Sequence, residues 1–145
     1  MGLSPSWGGV LIDDQGRVLL RKVAGGYGGM VWTFAEGGAE AGETPEQAAL
    51  REVREETGWT ARIRCEIPGE HRGSTTRNRY FLMAPVAEVG SPDTETEATR
   101  WVEYDAARRL LAKSSNSTAR TRDLVVLELA IQIDRGRSED SVPSG

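Results

Sequence analysis

GGAEAGETPEQAALREVREETGW, from Gly37 to Trp59, is the stretch on which the reading of this chain turns. Its centre is a helix with both ends written in the residues. Thr44 is a good N-cap, Pro45 suits the first helical position, and Gln47 stands where a capping box needs it. Gly58 ends the helix. Between them Ala48, Ala49, Val53 and the methyl of Thr57 supply one modest apolar side. On this helix Glu52, Glu55 and Glu56 lie three and four residues apart, so they crowd one side of it. Like charges at that spacing weaken a helix unless something neutralises them. A divalent cation does so, and carboxylate oxygens are the hard ligands that magnesium or manganese prefers. Three glutamates alone fit a solvated helix face about as well. The glycine corner at Gly37 and Gly38 and the strength of the cap tip the balance toward a site.

Outward from this stretch, strands alternate with helices but outnumber them. Trp7 to Ile12 and Arg17 to Lys22 read as strands on either side of an Asp13-Asp14-Gln15-Gly16 turn, and are expected to pair as a hairpin. Ala24 to Gly29 is glycine-rich and reads as a loop. Val31 to Phe34 is a short strand. Beyond the helix, 61–67, 79–86 and 99–102 read as strands, 104–112 as a helix, and 113–119 as a loop. The last helix is expected over 121–133, with Leu124, Leu127 and Ile131 spaced to face a core. This order predicts an α/β fold, a mixed sheet covered by helices, rather than a bundle. Residues 1–135 read as one domain and the polar 136–145 as a flexible tail.

Composition narrows the function classes. The 145 residues are 38% hydrophobic and 28% charged, the balance of a soluble globular protein. A net charge of -4 argues against a general nucleic-acid binder. Charge is nonetheless locally basic: Arg62, Arg64, Arg72, Arg77 and Arg79 face only Glu66 and Glu70 in the same segment. One cysteine, Cys65, excludes an internal disulfide and a cysteine-rich zinc site. No signal-peptide pattern or span-length apolar run is visible, so the cytoplasm is the expected compartment and no membrane partner is expected.

At fixed spacing the stretch also matches a known signature. Gly37, Glu43, Arg51, Glu52, Val53, Glu55, Glu56, Gly58 and Trp59 agree with the nine specified positions of the Nudix box, so the chain resembles the Nudix hydrolase (MutT-like) family. The resemblance implies an α/β/α sandwich around a mixed β-sheet and cleavage of a pyrophosphate bond in a nucleoside diphosphate derivative. It implies Glu52, Glu55, Glu56 and the Gly37 carbonyl as metal ligands, with Mg2+ or Mn2+ as the cofactor. Arg51 is then an orienting ion-pair partner, and Glu43 a stabiliser of the motif. The base that takes a proton from the attacking water varies within the family. Glu56 is the candidate within the motif, and Glu95 and Glu97 are the loop candidates, Glu97 being carried as a catalytic residue. An acidic run such as 93–97 is more often a solvated turn.

Other residues bear on the substrate. Trp32-Thr-Phe-Ala-Glu-Gly37 resembles the family's Trp-x-x-Pro-Gly-Gly approach, with Ala35 in place of proline and Glu36 in place of the first glycine. Arg77 and Arg79 share strand parity and suit phosphate contacts. Trp7 and Phe34 are candidates to stack a purine, with core packing at least as common a use. His71, the single histidine, reads as a loop residue without catalytic duty. Ser74 and Thr76 stand where the ADP-ribose and dinucleoside tetraphosphate branches place a proline and a tyrosine, so neither label transfers. The expected substrate is a small phosphoanhydride, a nucleoside di-, tri- or polyphosphate derivative, taken by a monomer or homodimer with no sequence-specific nucleic-acid partner. Two rival readings are hydrolysis of a non-nucleotide pyrophosphate, such as an inositol pyrophosphate, and a non-catalytic nucleotide-binding regulator.

Overall fold

In the first strand, β1 (Ser4–Leu11), side chains alternate between two buried surroundings, because helices cover both faces of its sheet. Val10 joins the core on one side, and Leu11 joins that on the other. The computed structural model describes residues 2–140, without the side chains at 27, 28 and 137–140. After β1 come β2 (Arg17–Val23), a 3-10 helix over Ala24–Gly29, β3 (Trp32–Thr33), β4 (Ala35–Gly37) and the helix α1 (Pro45–Thr57). They are followed by β5 (Trp59–Glu66), β6 (His71–Arg72), β7 (Thr76–Glu88), β8 (Thr96–Glu103), α2 (Tyr104–Leu111) and α3 (Ser117–Asp140).

The larger sheet has the order β4-β1-β7-β5, with β6 also paired to β7. Its β1–β7 ladder is parallel and the others are antiparallel, so it is mixed. The smaller sheet, β3-β2-β8, is antiparallel. α1 packs on one face, where Ala49 and Val53 meet Leu11, Phe81 and Met83. α2 and α3 cover the other, where Leu111, Leu127 and Ile131 meet Val10, Leu20, Phe34, Tyr80 and Leu82. This is the expected α/β/α arrangement.

Three local expectations need correction. β1 and β2 are not a hairpin: both edges of β1 are taken by β4 and β7, both edges of β2 by β3 and β8, and only an isolated Ile12–Val18 bridge joins them. The turn itself forms, held by Asp13, whose Oδ1 accepts from the Gln15 and Arg17 amides at 3.0 and 2.9 Å. The glycine-rich 24–29 coils into a 3-10 helix. α3 runs to Asp140, so 136–140 are helical where a tail was expected; 141–145 lie outside the described residues. Among the described residues no helix is long and apolar enough to cross a membrane.

Candidate active site

α1 starts as its sequence predicts. The Gln47 amide donates to Thr44 Oγ1 at 3.2 Å, and the Thr44 amide donates back to Gln47 Oε1 at 3.0 Å. Gly58 closes the helix at φ 81°, its amide donating to the Arg54 carbonyl. A helix fixed at both ends sets the angle at which its glutamates reach the sheet. Glu52 lies directly on the backbone of Gly37 in β4: any Cβ at Gly37 would overlap the Glu52 carboxylate. The glycine therefore permits this close approach, and a side chain there would push the Glu52 carboxylate aside.

Arg51 binds the motif together. Its Nε and Nη2 form a fork on Glu43 at 2.7 and 3.0 Å, Nη2 also donates to the Gly38 carbonyl at 2.9 Å, and Nη1 reaches Glu52 at 2.9 Å and Glu55 at 3.1 Å. These bonds raise the Arg51 pKa, the Glu43 bond most of all, against the opposing effect of burial. The same guanidinium holds the Glu43 carboxyl below its ordinary value. Mutual repulsion along α1 is thus offset in part by one arginine within the helix.

Glu56 is treated differently. It is 2% exposed, and its Oε1 lies 3.3 Å from Arg21 Nη1 and accepts from the Glu36 amide at 3.4 Å. Burial pushes its pKa up to about 10; Arg21 opposes this, while Glu52 and Glu36 push the same way. Arg21 is itself anchored to Thr96 Oγ1 and to the Glu95 carbonyl, both at 2.8 Å. Arg21, Glu36 and Glu56, with Met30, Thr94 and Glu95, line a cavity of about 430 Å³. The Glu36 carboxylate lies within it, accepting from Ser6 Oγ and from Asn78 Nδ2. A larger hollow, about 630 Å³, lies elsewhere, between Asp13, Arg62, Arg64 and Asp134, and contains none of the signature residues.

The donor set fits a hard divalent cation. Glu56 is an acid whose pKa burial raises, so a cation facing it would favour the carboxylate, and Glu52 beside it is pressed against backbone. Among the described residues no three acidic, histidine or cysteine side chains converge as a ready cluster. The reason lies in Glu55, which turns outward onto Arg51 while Glu56 turns inward.

The remaining sequence candidates scatter. Glu97 is outside the cavity, paired with Lys22 at 2.8 Å; Glu95, two residues earlier, lines it. Arg77 and Arg79 do share a face, but an exposed one, where they meet Glu70 at 3.7 Å and Glu66 at 3.2 Å. Between them Asn78 points the other way, to Glu36. Phe34 is 1% exposed and packs edge-on to Tyr80 in the core, with no face left for a base. Trp7 is half-buried against the α1-side core. Sequence reasoning missed Arg21. Its signal was a lone arginine inside the apolar run Val18-Leu-Leu-Arg-Lys-Val23, where burial demands a carboxylate partner.

Comparison with known proteins agrees with this geometry. The NUDIX domain profile matches residues 2–123. The RNA pyrophosphohydrolase of Teredinibacter turnerae is 31% identical, over 71% of this chain and 72% of its own length. That of Saccharophagus degradans is 34% identical, over 78% and 66% respectively. The solved NUDIX hydrolase from Nitrosomonas europaea superposes with a TM-score of 0.69 at 20% identity, covering 92% of this chain and 90% of that one. Nudix hydrolases generally use a divalent metal and act on small phosphate-containing substrates. The chain belongs to the Nudix family and is a hydrolase of pyrophosphate bonds.

Proposed function

We propose that this chain is a magnesium-dependent pyrophosphohydrolase of nucleotide polyphosphates, with the 5′-triphosphate end of RNA as the first substrate to try. The observation that carries the catalytic reading is the buried Glu56 beside Glu52, itself seated on Gly37. The RNA end is favoured by the two relatives named for that activity. Glu52, Glu56 and the Gly37 carbonyl would hold the magnesium ion, with Glu55 joining once released from Arg51. When bound, the ion reverses the charge of an acidic site, binds phosphate oxygens and acidifies water.

The chain's own residues do the rest. Arg21 fixes the orientation of the Glu56 carboxyl, and Arg51 fixes that of Glu52. Glu95 is exposed, lines the cavity and has no side-chain hydrogen bond or ion pair among the described residues, and these features support assigning it the proton of the attacking water. In-line attack on phosphorus then needs positioning more than covalent chemistry.

The test is a phosphate-release screen in magnesium, with nucleoside triphosphates, 5′-triphosphorylated RNA, ADP-ribose and dinucleoside polyphosphates, and products identified by mass. Turnover of a triphosphate to a monophosphate, lost by about a hundredfold or more in Glu56→Gln with the fold retained, is the expected result. Equal turnover by the folded variant overturns the assignment of Glu56.

A further inference from the structure

The polar interior does not stop at the catalytic cavity. Met30 and Glu36 line that cavity and also a second hollow of about 220 Å³, whose other walls include Ser74, Thr76, Asn116 and Arg122. Arg122 in turn lines a third hollow of about 490 Å³, between β6 and the first turns of α3, with His71, Arg72, Ser117, Thr118 and Thr121. Each hollow therefore adjoins the next across shared side chains.

Arg122 is the wall between the second and the third, and its bonding is incomplete. It is 6% exposed. Nε donates to Asp123 at 2.9 Å, Nη2 reaches only the Met30 sulfur at 3.8 Å, and Nη1 meets no acceptor among the described residues. A Cβ at Gly73 would lie 2.6 Å from Nη1, so the absence of a side chain there keeps that space open. A guanidinium has five donors, and the unmatched Nη1 is not fully buried, since among the described residues the only buried side-chain polar atom without a partner is the Tyr80 hydroxyl. Across the third hollow the exposed Arg72 makes no ion pair among the described residues. The acid on its rim, Glu70, faces Arg77 at 3.7 Å instead. The hydroxyls of Ser117, Thr118 and Thr121 stand on the first turns of α3, whose dipole favours an anion, while the Ala119 amide is already taken by Asn116 Oδ1 at 3.0 Å.

Two guanidiniums with spare donors and three hydroxyls around one hollow suit a phosphate. It lies one hollow beyond the catalytic cavity, so the phosphate it suits is not the anhydride. We propose that the third hollow binds a phosphate ester on the 3′ side of the substrate's first nucleoside, while that nucleoside occupies the second hollow. The proposal rests on the nucleotide reading above and adds a preference: nucleotides extended at the 3′ position are better substrates than plain ones. A polynucleotide 5′ end and a single nucleotide with a 3′-phosphate both carry this group.

The experiment compares kcat/KM for a nucleoside 5′-triphosphate, the same compound with a 3′-phosphate, and a 5′-triphosphorylated dinucleotide. The two extended compounds are expected to exceed the plain triphosphate by about tenfold. In Arg72→Ala and in Thr121→Glu, which places a negative charge in the groove, that ratio falls to about one. A gain shared by both extended compounds supports the proposal whichever is the natural source. A gain for the dinucleotide alone means that its second nucleoside is recognised, and overturns it. A wild-type ratio near one, or a ratio kept in both variants, overturns it as well. If no compound is turned over, the catalytic reading fails separately. The groove is then judged by calorimetry of a nucleoside 3′-phosphate against the bare nucleoside, with wild type and Arg72→Ala. Equal affinities for the two ligands in the wild type overturn the site.

Discussion

Glu56 shows how much one side chain's surroundings decide. Its neighbour Glu55 has the same chemistry one residue away, yet Glu55 reaches a partly exposed arginine and Glu56 turns into the interior. The spacing of the three glutamates made the cluster legible in the sequence. Their unequal burial was not, because it depends on Arg21 and Glu36, which the fold brings in from other elements. The same limit applies to Phe34, whose aromatic ring suits a base platform or a core equally until Tyr80 is placed against it. A pH prediction follows from Glu56. Burial raises its carboxyl from 4.5 to about 10, so between those values the folded state holds a proton that the unfolded state has lost. Its contribution to stability is greatest below the unfolded value and declines as pH rises toward the folded one. In metal-free buffer containing a chelator, raising the pH from about 6 to about 9 is expected to lower the Tm of the wild type more than that of Glu56→Gln. Parallel Tm curves for the two proteins would show that Glu56 does not carry this dependence.

At the scale of elements, what was legible was what is local. The cap, the proline and the terminal glycine of α1 sit within a few residues of the bonds they make, and both ends of the helix fall where the sequence places them. The Asp13–Gly16 turn is equally local and forms as read. The pairing of β1 is not. Its partners β4 and β7 come from far along the chain, and a turn between two strands says nothing about whether they hydrogen-bond to one another. The start of α1 has a separable role, because Thr44 touches no residue of the cavity. Thr44→Ala removes both the side-chain acceptor and the reciprocal geometry of the capping box, and is expected to cost about 1 kcal/mol of stability. Denaturant unfolding reads the loss directly. With the loop from Gly37 still held by Arg51, kcat at a temperature well below Tm is expected to fall less than twofold, about the size of an exposed change away from the chemistry. A large loss of kcat in the folded variant would mean that the cap also sets the register of the glutamates.

The whole molecule places its site where the two sheets meet. Glu56 comes from the helix on the larger sheet, Arg21 from the middle strand of the smaller one, and Glu95 from the segment leading into β8, the neighbour of β2. No single element contains the cavity, which explains why the acidic run 93–97 could be read from sequence as a candidate without its two glutamates being told apart. The fold separates them by position, since Glu95 precedes β8 and Glu97 lies within it. Thr96 turns inward and bonds Arg21, Glu95 stands at the cavity beside it, and Glu97 turns out to Lys22. The proposed proton acceptor is therefore testable by a pair of isosteric changes. Glu95→Gln keeps the size of the side chain but removes its basicity, and is expected to lower kcat by about a hundredfold with little change in KM. Glu97→Gln breaks an exposed ion pair, worth at most about 1 kcal/mol, and is expected to leave kcat within about twofold of the wild type. Steady-state rates at saturating magnesium, with the pH profile of kcat recorded for each protein, distinguish the two. A folded Glu95→Gln protein that keeps its rate and loses no acidic limb from that profile would return the role of base to Glu56 or to Glu55.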